Sequence, residues 1–146
     1  MTEPQLPSVL AEIRDEFLEL EEPDRLQLLL DFSRELPEAP ARYADHPELY
    51  ERVAECQSPV FIAVEVDPHG IVTLHATAPA EAPTTRGFAS ILVQGMSGLT
   101  TEDVLAIPGD YPQTLGLSRA VSPLRLAGMT GMLMRAQRQV KALTAL

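Results

Sequence analysis

The residue best suited to chemistry in this sequence is Cys56, the only cysteine among 146 residues. A single thiol forms no internal disulfide and cannot cage a metal alone, but as a thiolate it is a strong nucleophile. Its neighbours Glu55, Gln57 and Ser58 are polar, and Pro59 disfavours a helical conformation at the residue before it. These neighbours favour an accessible loop thiol, whereas free cysteines in general are buried hydrophobes. The two interpretations, nucleophile and core filler, are therefore balanced.

The surroundings of Cys56 decide how readily it ionises. The pKa of a free thiol is ~8.5, so only a small fraction is thiolate at neutral pH. The neighbouring Glu55 opposes ionisation by like-charge repulsion. Backbone N–H groups or an arginine brought close by the fold would favour it.

A cysteine hydrolase would also need a histidine base, and the candidates are His46, His69 and His75. His69 lies in a predicted turn, His46 precedes Pro47, and His75 falls near a strand end. No recognisable Cys–His signature surrounds any of them, and their spacing from Cys56 matches no standard metal site. We therefore expect neither a cysteine hydrolase nor a metal centre.

Arg125 is the second candidate. With Ser122 as the predicted N-cap, Arg125 falls in the first turn of a helix, where a cation opposes the helix dipole at a cost of ~0.3–1 kcal/mol. One interpretation is an exposed arginine with its head in water. The other is an anion site that binds a thiolate, a persulfide or a partner's carboxylate. Gly128 and Gly131 in the same helix each cost ~1 kcal/mol relative to Ala, which indicates close packing against another element.

A β-hairpin is predicted to position the cysteine. Apolar and β-branched residues alternate over residues 60–66 and 71–77, and Pro and Gly between the two runs favour a turn. Proline-containing, irregular chain covers residues 37–55 and ends in a short strand near residues 52–54. Cys56 should therefore lie in the connection that enters the sheet.

Helices are predicted on both sides of this hairpin from their apolar periodicity. They cover residues 9–20, 23–35, 86–94, 100–105 and a last helix that begins after Ser122. The expected N-caps are Ser8, Thr84 or Thr85, Thr100 or Thr101, and Ser122. Helices around a small antiparallel sheet make an α+β fold, and the length suits a single domain over residues 1–146.

The net charge of −10 argues against binding to nucleic acid or to an anionic membrane. No apolar run approaches the roughly 20 residues that span a bilayer. The start, Met1-Thr2-Glu3-Pro4, lacks the basic and apolar regions of a signal peptide. With a single cysteine, these features favour the cytoplasm.

The charge is unevenly distributed along the chain. All 21 acidic residues lie at or before Asp110, and the remainder carries only basic charges. We interpret this as a C-terminal helix packed on an acidic body. A basic docking face for an acidic partner stays as the alternative, with Arg125 as its candidate residue.

Three segments of the chain stand out: Cys56-Gln57-Ser58, Arg86-Gly87-Phe88, and Ser122-Pro123-Leu124-Arg125 with Gly128. In this order and spacing they resemble the SufE family of sulfur acceptors. The cysteine segment precedes an apolar strand with an aromatic residue at Phe61. The second segment is similar to the Arg/Lys-Gly-Leu that opens the family's middle helix, and the third resembles the family's Ser/Thr-Pro-x-Arg-x-x-Gly signature. The resemblance spans most of the chain.

The resemblance implies a small curved antiparallel sheet with helices packed against it, similar to the SufE/IscU-type fold, and a loop-tip Cys56. It implies that Cys56 accepts persulfide sulfur from a cysteine desulfurase and passes it to an iron–sulfur scaffold, supported by Gln57, Ser58 and Arg125. The pyridoxal phosphate (PLP) belongs to the desulfurase, so we expect no cofactor here. We expect this chain to be a partner protein that stimulates the desulfurase, in preference to an independent enzyme. A monomer and a homodimer both remain open.

The sequence departs from the family pattern at several places. Many relatives have Gly where this chain has Glu55, and an acidic stretch of many members is replaced by residues 79–82. Phe61 replaces a common Trp. The first two departures motivate an alternative function, a non-catalytic binding or regulatory domain with an inert cysteine. For a sulfur carrier we expect a mobile cysteine loop.

Overall fold

The computed structural model describes residues 6–43 and 45–145. The N-terminal stretch on which the signal-peptide prediction rests lies outside these residues. The helices and strands are α1 Ser8–Glu19, α2 Glu22–Arg34, β1 Glu51–Arg52, β2 Phe61–Val66, β3 Val72–Thr77, α3 Pro83–Met96, α4 Thr101–Leu105 and α5 Pro123–Thr144. Short 3-10 turns lie at Ala41–Tyr43, Pro47–Leu49 and Tyr111–Leu115. None of the described helices is long and apolar enough to cross a bilayer.

The predicted α+β class is confirmed by an antiparallel sheet of three strands in the order β1-β2-β3. The β2–β3 hairpin runs from the Phe61–Thr77 pair to the Val66–Val72 pair, within one residue of the predicted strands. In the turn, Oδ1 of Asp67 accepts backbone hydrogen bonds that stabilise it. The sheet is uncurled, where a curved one was expected.

Two helix starts confirm the predicted N-caps. The hydroxyl of Ser122 accepts a hydrogen bond from the backbone N–H of Arg125 at 3.3 Å, at the start of α5. The hydroxyl of Thr100 accepts one from the N–H of Asp103 at 3.2 Å, at the start of α4. Each bond satisfies a backbone donor that has no partner within the helix.

Two other predicted N-caps were wrong. The N-cap of α1 is Pro7, and Ser8 is the first helical residue, with no side-chain cap. Helix α3 begins at Pro83, ahead of the expected caps Thr84 and Thr85. In α3 the proline takes the first helical position, where its missing N–H costs nothing and its φ already suits the helix.

Helix α3 lies at the centre of the molecule, against α1, α2, β3 and α5. Its predicted inward residues Phe88, Ile91 and Leu92 are fully buried. Gly87 lets α2 and α3 approach closely, because a Cβ atom there would lie 2.4 Å from the carbonyl oxygen of Leu29. Helix α3 therefore packs against the sheet through β3 and forms the centre of the core.

Helix α5 packs along β2, and one of its side chains accepts a backbone hydrogen bond that a longer β1 strand would otherwise accept. Strand β1 has only two residues, so it leaves the backbone N–H of Val64 on β2 without a strand partner. Oε1 of Gln139 on α5 accepts this hydrogen bond at 2.9 Å. The predicted apolar stripe of α5 is confirmed as buried: Leu126, Met129, Leu133, Ala136 and Val140.

Candidate functional site

The site is built on the connection between β1 and β2, residues 53–60, which we call the cysteine loop. Val53 and Val60 at its two ends are fully buried, and the N–H of Val53 donates to the carbonyl of Val60 at 2.9 Å. The N–H of Cys56 donates to the carbonyl of Val53 at 3.1 Å. The loop is therefore short and closed by backbone hydrogen bonds, with Cys56 near the middle of its sequence.

The thiol of Cys56 points into the protein, against α5. The residue is only 8% exposed, so of the two interpretations left balanced by the sequence the structure shows the buried thiol, against the indication of its polar neighbours. A Cβ atom at position 128 would lie 2.9 Å from Sγ of Cys56, closer than real contacts allow. Gly128 thus makes the space in which the thiol lies, as predicted from the cost of glycine inside a helix.

Burial controls the protonation of this thiol. Together with the negative charge of Glu55, which contributes less, burial raises the pKa of Cys56 to about 11. The effect of Glu55 has the sign expected from the sequence. The guanidinium of Arg135 acts in the opposite direction but is too weak to compensate. In the closed loop Cys56 is therefore a neutral thiol, which is a poor nucleophile.

A groove of about 320 Å³ opens beside the thiol. It is bounded by residues 55–58 of the cysteine loop, by residues 81–85 at the start of α3, and by the first turns of α5. The predicted site residues Cys56, Gln57, Ser58 and Arg125 all line it. The structure thus brings the two distant motif segments together at one place.

Arg125 is the cation of this groove. Its backbone N–H is bound by the Ser122 cap, and its side chain is exposed and forms no ion pair with any described residue. Leu124 beside it is 52% exposed, which is high for a large apolar side chain. The rim at the start of α5 therefore offers one apolar and one cationic contact next to the thiol.

The histidines lie elsewhere. His46 is hydrogen-bonded to Glu48 at 2.9 Å, and His75 is hydrogen-bonded to Glu65 at 2.5 Å. His69 occupies the hairpin turn, and no histidine is among the residues that line the groove. No cluster of three metal-ligating side chains is found in the part of the chain that the structure describes. The histidine base of a cysteine hydrolase is thus missing from the residues that line the groove.

The residue before the cysteine, Glu55, is held by Arg135 on α5. Nε of Arg135 donates to Oε1 of Glu55 at 2.8 Å, and Nη2 donates to Oε2 at 3.2 Å. Hydrogen bonds from Arg135 lower the pKa of Glu55, so its carboxylate stays charged. Gly131 lies beneath this carboxylate, since a Cβ atom there would lie 2.7 Å from its Cδ.

The same arginine reaches strand β1. Nη1 of Arg135 donates to Oε2 of Glu51 at 2.6 Å, and Arg138 pairs with the same oxygen. Nε2 of Gln139 donates to Oε1 of Glu51 at 2.8 Å. Burial opposes ionisation of Glu51, but these hydrogen bonds outweigh it and lower the pKa. The C-terminal helix therefore packs on acidic partners, as the uneven charge predicted.

The sequence prediction missed Arg135 and Glu51. One signal was present: Gly128, Gly131 and Arg135 follow at steps of three and four residues, so they lie on one stripe of α5. The two glycines leave space beside the helix, and the arginine at the end of the stripe supplies a positive charge. A stripe of this kind lets an acidic loop pack closely against the helix.

The fold and the groove define a class of protein, an α+β chain with a lone loop cysteine beside the N-terminus of a long helix. The family model "SufE: Fe-S metabolism associated domain" matches residues 11–140. The chain therefore belongs to the SufE family, and the resemblance expected from its motifs is confirmed. The family is associated with iron–sulfur metabolism.

Individual relatives agree with this assignment. Proteins named uncharacterized SufE-like in two strains of Mycobacterium tuberculosis are 48% identical over 142 residues, covering 97% of this chain and 98% of theirs. SufE-like protein 1, chloroplastic/mitochondrial, of Arabidopsis thaliana is 28% identical over 92% of this chain but only 35% of its own length. A solution structure of a hypothetical protein from Thermus thermophilus superposes with a TM-score of 0.82 at 38% identity, covering 96% of this chain and 99% of that one.

Proposed function

We propose that this chain is a single-domain sulfur carrier of the cytoplasm. In this proposal Cys56 takes sulfur from the persulfide of a PLP-dependent cysteine desulfurase and passes it to an iron–sulfur scaffold. The observation that carries the proposal is the position of the lone thiol: in a SufE-family chain, it lies in a groove that also holds Arg125. One cysteine cannot ligate a cluster, which favours carriage of sulfur over assembly.

The chemistry needs no oxidant or reductant. The thiolate of Cys56 attacks the terminal sulfur of the donor persulfide, the donor's S–S bond breaks, and the donor cysteine leaves as a thiolate. A new S–S bond on Cys56 keeps the oxidation level of the transferred sulfur. The proton lost by Cys56 balances the charge on the departing thiolate. A thiol of the scaffold then repeats the exchange.

The groove supplies the supporting groups. Arg125 adds a positive charge to the groove, suited to stabilise an anionic sulfur that enters it, and it lies in the first turn of α5, at the positive end of the helix dipole. Gln57 and Ser58 belong to the same loop as the nucleophile and orient it. The chain acts here as a partner that raises the turnover of the desulfurase.

A sulfur carrier with a buried thiol must open its loop. At 8% exposure and with a raised pKa, Cys56 in the closed loop is shielded from a donor persulfide. These two properties also favour the second candidate function, a non-catalytic binding or regulatory domain with an inert cysteine. The two candidates differ in whether the loop opens to a partner.

The deciding experiment is intact-mass measurement after incubation with the cognate desulfurase and L-cysteine. A sulfur carrier gains about 32 Da, one sulfur atom, on Cys56, and Cys56→Ser gains nothing. Sulfide release by the desulfurase rises with the wild type and not with Cys56→Ser. Equal stimulation by both forms, with no adduct on either, would refute sulfur carriage and support the inert domain.

A further inference from the structure

The cysteine loop is held against α5 by side chains of two kinds. On the inside, Cys56 lies in the space left by Gly128. On the rim, Glu55 lies over Gly131 and is bound by Arg135. The first contact is a small van der Waals contact. The second is a two-point, charge-assisted contact, which is the stronger type.

The two carboxylates bound by Arg135 differ in how much they depend on it. Glu51 on β1 also accepts from Arg138 and Gln139, so it stays bound when Arg135 is lost. Glu55 pairs with Arg135 alone among the described residues. Loss of the Glu55–Arg135 contact would therefore release the loop from α5 at this point, while Glu51 keeps β1 bound to α5.

We propose that Arg135 is a positioning residue that holds the cysteine loop closed through Glu55, and that this contact breaks before Cys56 meets a reaction partner. The inference rests on the proposed function, since only a reactive Cys56 makes a controlled opening useful. It assigns a role to Glu55, the residue that stands where many relatives have Gly. In this chain the loop carries its own closing contact, and α5 carries the matching cation.

The experiment is the rate of alkylation of Cys56 by iodoacetamide in the full chain, followed by intact mass. The informative variant is Arg135→Gln, because the two possible roles of the arginine predict opposite signs. As a mere nearby charge, Arg135 lowers the pKa of Cys56, so its loss would slow alkylation. As the closing contact, its loss opens the loop and speeds alkylation by roughly threefold to tenfold.

Three further variants make the result specific. Glu55→Gln, which leaves the pairing of Glu51 with Arg135 intact, should also react roughly threefold to tenfold faster. Loss of the contact and loss of the charge that raises the pKa of Cys56 act here in the same direction. Arg135→Lys keeps the charge and should fall between wild type and Arg135→Gln. Arg138→Gln is the matched control, since Arg138 binds Glu51 and not Glu55, and should react within about twofold of wild type.

Ionic strength provides an independent readout. Salt screens a partly exposed ion pair, so 1 M NaCl, where the Debye length is about 3 Å, should speed alkylation of the wild type. It should have little effect on Glu55→Gln, whose contact is already gone. Circular dichroism checks that each variant is folded. If Arg135→Gln is not, Arg135→Lys keeps the test decisive, because it retains the positive charge near Cys56 and loses the two-point contact with Glu55.

The inference is overturned if folded Arg135→Gln, or Arg135→Lys should Arg135→Gln not fold, is alkylated no faster than the wild type. This outcome is separate from failure of the proposed function, because alkylation involves no desulfurase. Fast alkylation of the variants without any sulfur uptake in the desulfurase assay would refute sulfur carriage and leave the closing contact standing.

Discussion

Sγ of Cys56 occupies the space that a side chain at position 128 would need, and this space is free because residue 128 is glycine. A Cβ atom at position 128 would lie 2.9 Å from the sulfur, closer than real contacts allow, and in ordinary contact with Cα of Cys56 at 3.8 Å. A buried thiol and a glycine inside a long helix are therefore one structural feature. This dependence can be tested from the side of the helix.

We expect Gly128→Ala to displace the side chain of Cys56 from its buried position. The added methyl group meets Sγ, and overpacking of this kind costs ~1–3 kcal/mol, partly offset by ~1 kcal/mol of helix propensity. Because the loop is the part that yields, alkylation of Cys56 should rise about tenfold while global stability changes little. The control is Gly109→Ala, where a Cβ atom meets nothing within 4 Å. Equal alkylation rates in the two variants would contradict the packing argument.

The buried thiol also predicts a dependence of stability on pH. The folded pKa of Cys56, about 11, is raised above its ordinary value of 9.0, so folding favours the protonated thiol. The stabilisation is present below pH 9 and is lost as the pH rises towards 11. The complete loss is on the order of 3 kcal/mol, from two pKa units at 1.36 kcal/mol each.

Urea unfolding at pH 7.5 and pH 10.5 measures this effect. The wild type should lose more stability between the two values than Cys56→Ala, which has no thiol to ionise. The cavity that alanine leaves lowers stability at both pH values, so it cancels in the comparison. An equal loss in both proteins would mean that Cys56 ionises freely, hence that the loop opens easily.

Local patterns in the sequence were enough to predict the sheet and most helices. Alternating β-branched residues placed both strands of the hairpin within one residue, and the Ser122 and Thr100 caps located two helix starts. Of the wrong caps, Thr84 and Thr85 follow Pro83, which takes the first helical position of α3, whereas Ser8 follows Pro7, which itself occupies the N-cap position of α1. A proline with φ near the helical value outweighs a cap that satisfies one donor.

The arrangement of the site depended on contacts that no local pattern contains. Polar neighbours favoured an exposed Cys56, but the space that buries it is created by Gly128 on another element. Arg135 was missed because its partners Glu55 and Glu51 are 80 and 84 residues away along the chain. Pairing over such separations follows from the tertiary fold, whereas the motif that placed Arg125 near Cys56 came with the family resemblance.

The N-cap of α5 should contribute to both stability and the groove. Ser122→Ala removes the side-chain acceptor of the Arg125 N–H, at a cost of ~1 kcal/mol. Thermal or urea unfolding measures this loss. Ser118→Ala is the control, because Ser118 is exposed and its side chain forms no hydrogen bond with any described residue. Unchanged stability in Ser122→Ala would show that solvent replaces the cap.

Arg125 offers the sharpest separation of function from stability. Its charge lies in the first turn of α5, against the helix dipole, so Arg125→Gln should raise the free energy of unfolding by ~0.3–1 kcal/mol. The same change removes the cation of the groove, and sulfur uptake from the desulfurase should fall by roughly tenfold. The matched control is Arg119→Gln, since Arg119 is 83% exposed, pairs with Glu22 at 3.6 Å and does not line the groove.

Two measurements on each protein give the result, urea unfolding and the rate of the 32 Da mass gain, which is about one sulfur atom. For Arg119→Gln both should stay near the wild-type values. A gain in stability together with a loss of sulfur uptake in Arg125→Gln is the signature of a charge kept for function at the expense of the fold. Undiminished uptake would mean that sulfur transfer needs no cation in the groove, and Arg125 would then be a surface residue that happens to lie on its rim.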